Sequence, residues 1–169
     1  MDTKMISEIF PILASPNIIA LLVRTVLVLL CAGVIGYERN ERGAAAGLRT
    51  HILVCLGAMI AMSTAQYAAM FYTTDVQRIG AQVVSGIGFL GAGTIIVNKR
   101  RITGLTTAAG LWAAACIGLA IGIGFYEGAL VGTIAVYFTE RVLLRFSKSI
   151  PIRHADVDIP EGDSIDIPE

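Results

Sequence analysis

A chain of 169 residues that is 55% apolar and only 15% charged, with a mean hydropathy of +0.72, lies far from the composition of a soluble globular domain. So short a chain cannot wrap several long apolar helices in polar layers, which sets aside a buried core inside a soluble protein. The net charge of zero excludes nothing by itself; the positions of the charges carry the information.

Those charges punctuate long apolar runs. In residues 1–17, read as an outer N-terminal segment, Lys4 precedes a short apolar stretch already broken by Glu8, Pro11 and Pro16. No cleavable signal peptide is read there, and the first span is expected to serve as an uncleaved targeting signal. A bilayer core of about 30 Å needs roughly 20 apolar residues in helical form. Residues 18–36 supply 19, interrupted only by Arg24, and residues 52–72 supply 21 without a charge. Residues 81–97 add 17, and residues 105–125 another 21. The fifth run, 128–146, is the weakest because Glu140, Arg141 and Arg145 crowd its second half. The expected fold is all-α: a polytopic membrane protein with about five transmembrane helices over 18–146. Residues 147–169 are acidic and proline-bearing, and read as a flexible cytoplasmic tail.

Short cytoplasmic loops accumulate lysine and arginine. Arg39, Arg42 and Arg49 follow the first span, Lys99, Arg100 and Arg101 the third, and Arg141, Arg145, Lys148 and Arg153 the fifth. Only Lys4 and Arg78 fall on the other side, so the N-terminus is expected outside and the C-terminus inside. At an offset of 57, Gly36 aligns with Gly93, Arg42 with Lys99, Gly47 with Gly104, Leu48 with Leu105 and Thr50 with Thr107, which suggests a parallel duplication.

Gly86-Ile87-Gly88-Phe89-Leu90-Gly91 matches a dinucleotide fingerprint, but it lies inside an apolar span and Lys99, Arg100 and Arg101 are the next charges. Close helix packing over small residues is the better reading for Gly86, Gly88, Gly91 and Gly93. The same applies to Gly118 with Gly122, Gly110 with Ala114, and the row Gly124, Gly128, Gly132. The third, fourth and fifth spans are therefore expected to form the tight heart of the bundle. Cys31, Cys55 and Cys116 fall in different spans and read as small apolar packing residues.

Ionisable groups in or beside a span are costly and draw attention. On the outer side, Arg24, Asp75, Arg78 and Gln82 form one candidate cluster, to which Ser63, Thr64, Gln66 and Ser85 add a polar track. Arg24 either snorkels outward or pairs with Asp75. On the inner side, Glu38, Arg39, Arg49, Thr50 and His51 form the more distinctive cluster. Positive charge at a helix N-terminus opposes its dipole, so either Glu38 neutralises Arg49 or the site awaits an anion. Thr50 can cap the second span, and Thr106 and Thr107 the fourth. No catalytic constellation and no P-loop emerge, no cofactor or nucleic-acid partner is expected, and metal binding is left open. A hard divalent cation favours several oxygen ligands, yet Glu38 and Asp75 sit near opposite membrane faces, which weakens a dedicated cation carrier.

Four ordered motifs add a resemblance: Gly36-Tyr37-Glu38-Arg39, Ala46-Gly47-Leu48-Arg49-Thr50-His51-Ile52-Leu53-Val54, Val84-Ser85-Gly86-Ile87-Gly88-Phe89-Leu90-Gly91-Ala92-Gly93 and Gly104-Leu105-Thr106-Thr107-Ala108-Ala109. From Arg24 to about Phe146 the sequence resembles the MgtC/SapB family of bacterial inner-membrane proteins. The resemblance implies a five-span protein tied to growth at low magnesium and, in some pathogens, survival in macrophages. Members are commonly described as magnesium transporters, although the family picture is more regulatory and includes interference with the F-type ATP synthase. Many relatives carry a soluble cytoplasmic domain after the last span; this sequence looks closer to the short, core-only form. Two functions stay in play: a regulatory protein engaging itself, as a homodimer, or another membrane complex, and an ion carrier using Asp75, Gln82 and Glu38.

Overall fold

A computed structural model describes residues 17–98 and 101–143. Five helices follow one another: α1 Ile18–Glu41, α2 Leu48–Ala69, α3 Val76–Ala92, α4 Leu105–Ile123 and α5 Tyr126–Phe138. A short antiparallel hairpin, β1 Ile96–Asn98 with β2 Arg101–Thr103, joins α3 to α4, and α5 ends in one π-helical turn, Thr139–Leu143. The fold class is all-α. The outer N-terminal segment apart from Asn17, the last residues of the fifth span and the acidic tail lie outside the described residues.

Local chemistry sets the boundaries. Asn17 starts α1, its side-chain oxygen accepting from Ala20 N at 2.8 Å, and Asp75 starts α3 by accepting from Gln77 N at 2.9 Å. The third helix therefore begins five residues before the expected span and ends five residues short of its end. Beyond Ala92 come Thr94, Ile95, Ile96 and Val97, four β-branched residues that suit a strand better than a helix. Gly104 closes the hairpin at φ +90, and a Cβ there would strike the Thr94 carbonyl. Thr50, Thr106 and Thr107 do not cap: Gly47 and Gly104 are the N-cap residues, and neither α2 nor α4 has a side-chain cap.

Helices α2 and α4 form the centre. A row on α4, Gly110, Gly118 and Gly122, lies against His51, Cys55, Ala58, Met59 and Met62 of α2, and Ala114 in the same row is fully buried. A Cβ on Gly122 would sit 2.7 Å from Met59 O, so only glycine lets the two backbones meet there. The Gly118–Gly122 row thus packs α4 on α2, so the tight heart of the bundle is the second and fourth spans and not the expected third, fourth and fifth. Gly91 approaches Ala108 of α4 and Gly132 approaches Ile117, whereas Gly86 and Gly88 face open space. Of the remaining glycines, Gly93 and Gly124 sit at helix C-caps, and Gly128 lies against the ring of Phe125. One core cluster joins Val28, Cys31, Ala32 and Ile35 of α1 with Cys55, Met59, Ile117, Ile121 and Ala129. A smaller one joins α3, through Ile87, to Ala58 and Ala115.

Polarity is inverted relative to a soluble protein. Leu22, Val26, Leu30, Leu53, Phe89, Val131 and Ile134 are exposed, while Arg24, Glu38, Arg39, His51 and Glu140 are buried. An apolar exterior around charged interior groups is the arrangement that hydrocarbon demands and water penalises. By length and composition, α1, α2 and α4 can each cross a membrane. The 17 residues of α3 reach about 26 Å.

Candidate functional site

Two buried polar clusters lie at opposite ends of the bundle. At the end bearing the α2 and α4 C-termini, Arg24 is fully buried. Its guanidinium donates to Ser63 Oγ at 3.1 Å, Gln66 Oε1 at 3.0 Å and Tyr126 Oη at 3.4 Å. Ser63 Oγ in turn donates to Gly122 O at 3.3 Å, and Gln66 Nε2 to Ile123 O at 3.0 Å. These are the last carbonyls of α4, the negative end of its dipole, and a neighbouring arginine is stabilised there. Arg24 thus ties α1 to α2 and α5 and, through them, to α4. A pair with Asp75 does not occur among the ion pairs of the described residues. Asp75, Arg78 and Gln82 are exposed around the start of α3, so the outer cluster divides into a buried arginine node and an exposed rim.

The inner cluster is denser. Helix α1 continues past Gly36 to Glu41, and this extension brings Glu38 and Arg39 inside, at 2% and 5% exposure. Glu38 Oε1 pairs with Arg42 Nε. Arg39 Nη2 donates to Thr107 Oγ1 at 3.0 Å, and its Nε lies 3.9 Å from Glu140 Oε1. The π turn supplies Glu140: its wider winding carries this side chain inward while neighbouring Arg141 stays exposed.

His51 is fully buried. Its Nδ1 lies 2.9 Å from Gly47 O, and because a carbonyl only accepts, Nδ1 carries the hydrogen. Gly110 makes room for its other edge: a Cβ there would lie 2.8 Å from Glu140 Oε1 and 3.3 Å from His51 Nε2. Among the described residues, Glu38 Oε2, Arg39 Nε, His51 Nε2 and Glu140 Oε2 are buried without a hydrogen-bond partner. Such groups are costly and concentrate where a protein binds or switches something. Among these residues, no three His, Cys, Asp or Glu side chains are grouped so as to hold a metal ion.

Of the residues expected on this side, the structure unites Glu38, Arg39 and His51. Arg49 and Thr50 point outward, and Glu38 pairs with Arg42 instead of Arg49, because Arg42 lies one turn further along the same helix. Glu140 and Arg42 were missed as site residues. The signal for Glu140 was an acid inside an apolar run, the same feature that made the fifth span look weak.

The profile of the MgtC family matches residues 25–149, about three quarters of the chain. The chain belongs to the MgtC family. Among its relatives, YhiD of Escherichia coli (strain K12), a proposed magnesium transporter by its name, is 37% identical over 152 residues, covering 85% of this chain and 71% of YhiD. Protein MgtC of Salmonella typhimurium (strain LT2) is 43% identical over 118 residues, covering 69% of this chain and 49% of MgtC. The chain therefore spans about half the length of MgtC itself. No solved structure matches it. Every residue of the inner cluster falls inside the MgtC-family match, and Arg24 lies one position before it.

Proposed function

We propose that this MgtC-family protein sits in the bacterial inner membrane as a multi-pass protein and serves adaptation to low magnesium by regulatory contact, without enzymatic activity. The observation that carries this reading is the engagement of the buried acids by arginines: Glu38 by Arg42, and Glu140 by Arg39. A divalent cation entering there would have to displace two guanidiniums, and Mg²⁺ gives up its water reluctantly even to free carboxylates. Asp75, the other candidate ligand, lies at the opposite end of the bundle. The partner is a second copy of the chain, most simply in a homodimer, or another membrane complex such as the F-type ATP synthase. The face of α3 with Gly86, Gly88 and exposed Phe89 and Leu90 supports contact with another helix.

An ion-transport role is the second reading, favoured by the name of YhiD. Proteoliposome flux separates the two. Silence across Mg²⁺, K⁺, Na⁺ and H⁺, from protein whose gene complements growth at low magnesium, is the expected result. Ion-selective uptake abolished by Glu38→Ala would overturn the regulatory reading.

A further inference from the structure

A groove of about 380 Å³ runs along the membrane-facing surface between α1 and α5. Its wall is apolar, built from Leu29, Leu30 and Val34, and Gly33 leaves a gap in which a Cβ would meet nothing within 4 Å. At its inner end the chemistry changes abruptly. Arg141 lines the groove there, its Nη1 donating to Tyr137 Oη at 2.9 Å and its guanidinium lying 5.7 Å from the Tyr137 ring centroid. Two contacts to one tyrosine hold this cation in place before any ligand arrives. No carboxylate of the described residues pairs with Arg141. Arg42 approaches the backbone of the same residue from α1, its Nη2 within 3.5 Å of Arg141 O. Glu38 lines this end of the groove beside Arg141, its carboxylate held by Arg42, and Glu41 is exposed beyond.

A tail-sized apolar groove ends at a pre-positioned arginine without an ion pair among the described residues. The one acid beside it is already held by Arg42, which leaves net positive charge of the kind an anionic lipid fits. We propose that the α1–α5 groove binds an anionic phospholipid, one acyl chain along Leu29–Val34 and the phosphate on Arg141. Basic pockets between transmembrane helices recognise such headgroups, and guanidinium meets phosphate in paired hydrogen bonds. Because Glu38 lines the same groove end, the headgroup charge acts on the buried cluster through this carboxylate and its Arg42 partner. The site stands whether the protein regulates or transports.

The test uses the full chain, purified and delipidated, with titrated phosphatidylglycerol or phosphatidylcholine read by native mass spectrometry and thermal shift. Phosphatidylglycerol should bind tighter and raise the midpoint further. Arg141→Gln should weaken phosphatidylglycerol about ten-fold, the effect of losing a charged hydrogen bond. Arg49→Gln, exposed and outside the groove, should weaken it no more than about five-fold, the general pull of one basic residue. Gly33→Leu should block the channel while leaving a folded protein, checked by circular dichroism, because open space receives the added side chain. Equal stabilisation by both lipids would overturn the proposal. So would equal losses from Arg141→Gln and Arg49→Gln, or undiminished binding to folded Gly33→Leu, the last leaving the groove to a helix of a partner or to residues 144–169.

Discussion

Glu38 is 2% exposed and its Oε1 is paired with Arg42, so removing that arginine leaves a carboxylate with almost no water to stabilise it. Breaking one side of a buried pair costs about 3 kcal/mol even at the low end, and the low end applies here because the Arg42 side chain is 34% exposed. Arg42→Ala should therefore lower the thermal midpoint in detergent markedly, while Arg49→Ala, at an exposed position, changes stability by about 0.5 kcal/mol or less. Equal midpoints for the two variants would refute the assignment. The sequence places Arg49 at the opening of a span and Arg42 in a loop, and only the pair with Glu38 one turn away singles out Arg42 for stability. Arg24→Lys makes a second residue-scale case: an ammonium keeps the charge but cannot reproduce a planar fork reaching Ser63, Gln66 and Tyr126. We expect Arg24→Lys to destabilise almost as much as Arg24→Met in the same unfolding assay.

Among the elements, the contact of α2 with α4 carries the bundle. At Gly118 a Cβ would collide with Cys55 O and come within 2.9 Å of Ala58 Cβ, so Gly118→Val must push two backbones apart. Overpacking of this kind costs about 3 kcal/mol. Gly88→Ala, facing open space, should be neutral or slightly stabilising, and a folded-yield comparison of the two distinguishes packing glycines from incidental ones. Spacing alone could not, because rows of glycine four apart name a face without saying which helix meets it. The helices themselves were legible as charge-free runs. The hairpin after α3 was not, although the β-branched stretch Thr94–Val97 held the signal. Glu38, Arg39 and His51 stood out because ionisable residues flank apolar runs. Glu140 and Arg42 did not, because their roles depend on α1 running on to Glu41 and on a π turn that no local pattern announces. The proposed duplication meets the same limit. Gly47 and Gly104 are equivalent as N-caps, but α3 stops at the counterpart of Ile35, so the second hairpin has no equivalent of the helical turn that bears Glu38 and Arg39.

For the molecule as a whole, the proposed orientation, with the more basic loops in the cytoplasm, has a direct check. A tag at Glu169 should be labelled only from the cytoplasm, and labelling from the periplasm would invert the assignment of both clusters. The two buried clusters act as ties at opposite ends of the bundle, one built on Arg24 and the other, the expected inner one, on Glu38, Arg39 and Glu140. The inner tie depends on the phase of the last helix. An extra residue absorbed in a π turn keeps the helix beyond it nearly in phase, so the residue that matters is the one ahead of Glu140. Deleting Thr139 moves Glu140 back by one helical position, about 100° around the axis. Excising Thr139 should therefore harm the protein more than Thr139→Ala. Reinserting one residue ahead of Glu140 should bring its side chain back toward Gly110 and restore what the excision removed.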